Sequence, residues 1–355
     1  MIKKYLNKIA VAGLAALTLF MASGVDIATA HADEINPGYV RSVYTNEWIP
    51  AAQAATRPIA IMMPTDKIAQ PSYGISNADI LYEIMEEGDI SRQMAVINNW
   101  TGLSKIGNVR SCRAYYIPEA TEWDSILVHF GGVCYMKDRI TAPDINNISG
   151  TNQYGVGGGA PGAGAFFRTA DRKAPHNAYT SATGIINACA QLGYSTGLRP
   201  EFYNVKHFTF SNGVNTLEQY GAAAATANAI NLSKVFPYTK SAFTYNPADG
   251  MYYKTIHGKA QTDGLNNQQL KFANVIVQNT KWVKLDAKGY LYFQNIDTTE
   301  DGYYFTKGKC IHVTWKKMGD YTPTVYYDDF GNEIQLNEGK TYIAVAQKGR
   351  PVLYY

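Results

Sequence analysis

Residues 78–100, ADILYEIMEEGDISRQMAVINNW, decide how this chain is read. ADILYEIMEE (78–87) and RQMAVINNW (92–100) are two short, largely apolar segments. Each is shorter than a typical helix and suits a buried pleated surface. Gly88-Asp89 between them is a turn signal, so the stretch predicts a hairpin. Just upstream, IAIMM (59–63) predicts another buried strand. Downstream, AYYIPEATEW (114–123) reads as a helix feeding SILVHFGG (125–132), a strand that ends in Gly131-Gly132. In TSATGIINACAQLGY (180–194), Ile185, Ile186, Cys189 and Leu192 fall on helical spacing, with Gly193 as a stop. Residues 149–164 are too rich in glycine to pack a core and read as a surface loop.

These elements predict an N-terminal mixed α/β domain over 57–205. A chain of 355 residues exceeds what one core usually holds, so a second domain is expected. Residues 206–235 read as a small-residue connector. From 236 to 355, strand signals alternate with turn dipeptides: a hairpin over 243–258 with Asp249-Gly250 at its tip, then turns at Asp301-Gly302 and Phe330-Gly331-Asn332. That half predicts a mostly antiparallel β domain, and the fold class of the whole is α+β.

The N-terminus, a basic start followed by an apolar run and Ala30-His31-Ala32, predicts a signal peptide over 1–32. Residues 33–56, polar and Ala-rich, read as a linker. The mature protein is therefore expected outside the cytoplasm, with no membrane insertion after cleavage. The formal charge is +3, of which Lys3, Lys4, Lys8 and Asp26 in the signal contribute +2, leaving +1. Such balance gives no field that would draw in nucleic acid. Four cysteines are too sparse for a disulfide framework and are expected to be buried thiols, Cys112 and Cys134 being the pair best placed for a bridge.

Complete catalytic signatures are absent: no GxSxG, HExxH, P-loop, SxxK or strand-borne GxGxxG occurs. The six histidines are far apart and set among arginines, so neither a metal nor a cofactor is expected. What remains is a concentration of Arg, His and Glu in the first domain. Glu83 precedes Glu86, Glu87 and Arg92; GNVRSCR (107–113) carries Arg110 and Arg113; HFGG (129–132) carries His129, Gly131 and Gly132; FFRTADRKAPHN (166–177) carries Arg168, Arg172, His176 and Asn177. Guanidinium groups grip carboxylate or phosphate through a planar fork. Imidazole adds a proton donor or acceptor near neutral pH. A Gly pair lets backbone approach a ligand. Convergence of these segments would make a pocket for an anionic group. The plainer alternatives are that Arg110 and Arg113 bridge Glu83 or Glu87, and that His129 is a core histidine bonded to backbone. His207, His257 and His312 read as structural.

RPIAIMM, QPSYGISNADILYE (70–83), EGDISR (87–92), KIGNVRSCR (105–113), HFGG and FFRTADRKAPHNAYTS, in this order, resemble the YerB-like secreted lipoproteins, the DUF3048 family. YYKTIHGKAQTD (252–263), NVIVQ (274–278), VTWKK (313–317) and YYDDFGNEIQLNEGKTYIAV (326–345) resemble the second domain of that family. The resemblance implies a two-domain envelope protein and implies no reaction. By motif position it singles out Glu83, Arg92, Arg110, Arg113, His129, Gly131, Gly132, Arg168, Arg172, His176 and Asn177. Cys112 stands where the family tends to have a small residue, and the lipobox Cys is missing.

Three functions follow. The first is an envelope protein binding an anionic cell-wall component, with Arg92, Arg110, Arg113, Arg168, Arg172, Asn177 and the glycine pair as ligand contacts. The second is a hydrolase or transferase on a wall polymer, with His129 or His176 as acid/base, Glu83 as its partner and the arginines as a clamp. The third is a structural or protein-interaction module.

Overall fold

The computed structural model describes residues 36–151 and 160–355. The expected signal peptide with its cleavage site, and the centre of the Gly-rich stretch, lie outside these residues. The expected linker is not one. Tyr39–Arg41 (β1) and Trp48–Pro50 (β2) pair antiparallel. Ser42, Tyr44, Thr45 and Asn46 between them are buried, and the Thr45 carbonyl accepts from Gly339 N at 2.8 Å. Short polar side chains that bond locally make this turn, which apolar periodicity does not register.

Continuous apolar runs became strands covered on both faces. Ile59–Pro64 (β3), Ile80–Met85 (β4) and Ser91–Ile97 (β5) are buried along their whole length. β4 and β5 form the expected hairpin, with Tyr82 opposite Met94 and Gly88 at φ +73° in the turn. Ile117–Thr121 is a short helix (α1). Ile126–His129 (β6) and Asn147–Ser149 (β7) then extend the sheet beyond β3 in parallel register. Helix Ala182–Leu192 (α2) ends at Gly193 in the left-handed region. It starts where Ser181 Oγ accepts from Gly184 N at 3.1 Å. Ser181→Ala is expected to cost about 1 kcal/mol. An unchanged urea midpoint would show that this cap contributes nothing.

In the second half, Ala242–Asn246 (β8) and Met251–Ile256 (β9) form the expected hairpin inside a six-stranded sheet. The remaining long strands do not build a separate sheet. Asn274–Thr280 (β10), Thr298–Thr306 (β13), Lys309–Lys317 (β14) and Thr341–Gln347 (β15) join the first half, while Trp282–Lys284 (β11) and Leu291–Phe293 (β12) form a two-stranded hairpin. The main sheet runs β14-β13-β10-β15-β4-β5-β3-β6-β7, and residues 225–226 and 325–327 complete its eleven strands at β14. The seam between the halves is the parallel pairing of β15 with β4, Ala344 opposite Glu83. The expected connector supplies strands to both sheets, and residues 36–355 form one compact unit.

Two sequence readings are corrected here. The second half is not simply antiparallel, because β10 and β15 pair parallel. Asp301-Gly302 is not a turn: it lies inside β13, and the β13–β14 turn is at Lys307-Gly308. Gly302 is there because a Cβ would meet the Val277 carbonyl oxygen at 2.2 Å.

The six-stranded sheet covers one face of the seam, with Phe243 and Tyr342 ring centroids 4.7 Å apart. The other face is covered by the segment after α1, where Trp123 Nε1 donates to Tyr82 Oη at 2.9 Å. β4 runs antiparallel to β5, and β5 antiparallel to β3. Therefore β10, β15, β4, β3, β6 and β7 all point one way. Their carboxyl ends share one edge of the sheet, the edge at which open α/β sheets bind ligands.

Candidate functional site

The predicted residues separate into four places. Two of them are in the core. Glu83 projects from β4 toward the second sheet and has no exposure. Its carboxylate lies 3.1 Å from Lys254 Nζ on β9, and Ser91, Gln93, Ser241 and Tyr342 donate to it at 2.7–3.0 Å. Burial raises its pKa, yet Lys254 and the donors hold it below the usual carboxylate range. Its cation, Lys254, comes from a position remote in sequence, not from Arg110 or Arg113 as the alternative reading had it. His129 is likewise buried, with Nδ1 2.7 Å from the Gly131 carbonyl and Nε2 3.2 Å from Asn147 Oδ1. Burial lowers its pKa. This is the core histidine of the plainer reading. No hydrogen bond links either group to His176, so the His/Glu acid-base pair is not assembled.

The glycine pair serves packing rather than a ligand. Gly131 sits at φ +93°, and its carbonyl also accepts from Cys112 N at 2.8 Å. A Cβ on Gly132 would meet Met136 Sδ at 2.1 Å. Cys112 is buried, which pushes its thiol up to about 12 and leaves it inert. The four cysteines are free thiols, and Cys134 is exposed rather than buried as expected.

Arg92 and Arg113 meet at the carboxyl end of β4. Arg92 Nη1 is 2.7 Å from Glu86 and also donates to the Ser111 carbonyl at 2.8 Å. Arg113 is 3.4 Å from Glu86, and its Nε donates to Glu87 at 3.0 Å. Burial raises the Glu86 pKa, and the two guanidinium charges oppose this. These arginines are matched by the hairpin's own acids, as the structural reading expects.

The fourth group lies beyond the ends of β3 and β6. Arg110 is half-buried, and its Nη1 donates to His176 Nδ1 at 3.1 Å. Asp66, two residues past β3, stands 4.0 Å from the same nitrogen. Asn108 Nδ2 donates to the His176 carbonyl at 2.7 Å and fixes that loop. Arg172 Nη2 donates to the Pro71 carbonyl at 2.8 Å. Arg168 is exposed, lies 4.8 Å over the Phe130 ring and donates to Asn177 Oδ1 at 2.6 Å. Burial, then the positive charge of Arg110, lowers the His176 pKa; Asp66 opposes this. The imidazole is therefore neutral at neutral pH, and its Nδ1 lone pair is the acceptor for Arg110. Among the described residues Arg110 has no carboxylate within ion-pair distance. Burial and then Arg92 lower its pKa, while Asp66 and Glu86 oppose this from a distance. Asp66 was missed from the sequence; an acid two residues past a fully buried strand was the signal.

Fold and site together define a member of a family of unknown function. The chain belongs to the DUF3048 family: the N-terminal domain described as protein of unknown function (DUF3048) matches residues 44–195, and the corresponding C-terminal domain matches 232–343. It is similar to "Putative lipoprotein YerB" of Bacillus subtilis (strain 168), with 27% identity over 291 residues and 81% of each chain covered. Its fold is that of the crystal structure of YerB protein from Bacillus subtilis, at a TM-score of 0.74 and 21% identity, over 89% of this chain and 99% of that one. Among the described residues, no helix is long and apolar enough to cross a membrane.

Proposed function

We propose that this chain is an extracytoplasmic envelope protein that binds an anionic group of a cell-wall component, a carboxylate or phosphate, at Arg110 and His176. One observation carries the reading. Arg110 is a half-buried guanidinium with a neutral imidazole for its neighbour and no ion-pairing acid among the described residues. A half-buried charge whose acids, Asp66 and Glu86, act on it only from beyond ion-pair distance is incompletely compensated, which is costly in a purely structural role. A bound anion would supply that counter-charge through a charge-assisted hydrogen bond. Arg168, at the end of the short strand Phe166–Arg168, and Arg172, on the loop that follows, add positive potential, and the site lies at the carboxyl edge of parallel strands. The similarity to a protein named as a lipoprotein supports the envelope location.

Arg110→Ala is expected to weaken binding of soluble wall fragments by about tenfold or more, since one charge-assisted hydrogen bond is worth at least about 1.4 kcal/mol. The melting temperature should stay within about 2 °C, because no internal ion pair is broken. Calorimetric titration with wild-type-like affinity in the variant would refute the assignment. A collapsed melting transition would instead place Arg110 in the structural machinery.

A further inference from the structure

A concavity lies on the same edge of the sheet, at the ends of β10 and β15. Its volume is about 360 Å³, and Lys281, Trp282, Val283, Tyr292, Gln294 and Lys348 line it. That volume is in the range of small-ligand sites. The β11–β12 hairpin forms its wall, with Val283 directly opposite Tyr292. Trp282, Val283 and Tyr292 are 38, 54 and 43% exposed, which is unusual for three neighbouring apolar side chains. The hairpin is nonetheless anchored. Phe293 is buried 4.9 Å from the Tyr115 ring, and Trp282 Nε1 points to the Lys348 carbonyl at 3.4 Å.

Charge around the cavity is balanced. Lys281 lies 2.7 Å from Glu300, while Lys348 contacts both Glu300 and Asp301. Two ammonium groups face two carboxylates, so nothing here demands an ionic ligand. Val283 and Tyr292 share one face of the hairpin and the Trp282 indole leaves the other toward Lys348, so the lining offers a phenol ring beside an amide and ammonium donors, with the indole at its rim. Apolar ring surface flanked by hydrogen-bond donors matches a sugar ring, which has C–H faces and a hydroxyl rim. A bilayer surface fits less well, because the site is concave and Asp301 sits beside it.

We propose that this cavity is a binding site for an uncharged pyranose unit of a glycan, separate from the Arg110 site. Trp282 makes it directly measurable, because the other four tryptophans are buried or half-buried. Titrating the full chain with the soluble tetramer of N-acetylglucosamine should give a saturable change in tryptophan emission. Salt at about 0.5 M should change the affinity by less than about twofold, since no net charge is matched. Tyr292→Ala should weaken binding by about tenfold, the loss of one stacking face, with the melting transition unchanged because this side chain faces outward. Arg110→Ala should leave this titration as in wild type, which separates failure of one site from failure of the other. No saturable signal with the tetramer, wild-type affinity in Tyr292→Ala, or an emission change only with phosphatidylglycerol vesicles would overturn the proposal.

Discussion

Replacing Lys254 with Met is expected to destabilise the fold by about 3–5 kcal/mol, the range found when one partner of a buried ion pair is removed. Neither Lys254 nor Glu83 has any exposure, and their charges lie 3.1 Å apart between the two sheets. Lys254 Nζ also donates to Ser241 Oγ at 2.9 Å. In the variant, Ser91, Gln93, Ser241 and Tyr342 still donate to Glu83, but no cation offsets the carboxylate. Removing the second charge as well, in Lys254→Met with Glu83→Gln, is expected to recover most of the loss, since replacing a whole buried pair is often near neutral. Urea unfolding of the two single variants and the double variant forms a cycle that isolates the pair. The pH dependence has a definite sign. The folded pKa of Glu83 lies below its ordinary 4.5, so its contribution is present above that value and is lost as pH falls through the folded pKa. The gap between wild type and Lys254→Met should therefore close in acid. A single-variant cost under about 1 kcal/mol would mean that apolar contacts such as Phe243 with Tyr342 hold the sheets without the pair.

This pair also shows where sequence reading stops. The strands near 59–63, 80–85 and 92–97 were legible because both faces are covered, so each is mostly apolar, broken only by Glu83 in the second and led by Arg92-Gln93 in the third. Their hairpin was legible because Gly88-Asp89 is a local signal. The β4–β15 seam was not, because a parallel pairing carries no turn between its strands, and Glu83 and Ala344 are opposed across most of the chain. The same distance hid the ion pair: nothing near Glu83 points to Lys254. Asp301-Gly302 misled in the other direction. A dipeptide that usually marks a turn was selected there for close strand packing against Val277. At the site, the motifs located the cluster without dividing it. Of the partners suggested for Arg113, Glu87 is one and Glu83 is not, and Glu86 joins it unannounced. Arg110, three residues earlier, donates instead to His176 Nδ1.

Glu119 should contribute less to stability as pH rises from about 4.5 to about 8. It sits on α1, 1% exposed, where burial and then the negative charge of Glu122 push its pKa from the ordinary 4.5 to about 8. Glu122 is the ionised member: burial disfavours its charge, but Lys317 at 2.7 Å and donors from Tyr82 and Thr324 hold it below the usual range. One Glu119 oxygen accepts from Asn295 Nδ2 at 2.8 Å, and the other meets no donor among the described residues. Protonation supplies the missing hydrogen, with the Glu122 carboxylate as its neighbouring acceptor. A group whose pKa rises on folding stabilises fully below its unfolded pKa and loses that contribution as pH climbs through the folded one. The window is therefore 4.5 to about 8, and at about 1.4 kcal/mol per unit the loss is on the order of a few kcal/mol. Glu119→Gln keeps the oxygen that Asn295 uses and cannot ionise. Melting curves of wild type and Glu119→Gln should lie close together near pH 5 and diverge with rising pH, the variant becoming the more stable above about 8. His207 and Lys317 also border this cluster. Burial lowers the His207 pKa, so it is already neutral across the upper part of the window and leaves the divergence to Glu119. Parallel curves would mean that Glu119 ionises in the folded state at its ordinary pKa, with Asn295 and Lys317 sufficient to hold two carboxylates in the core.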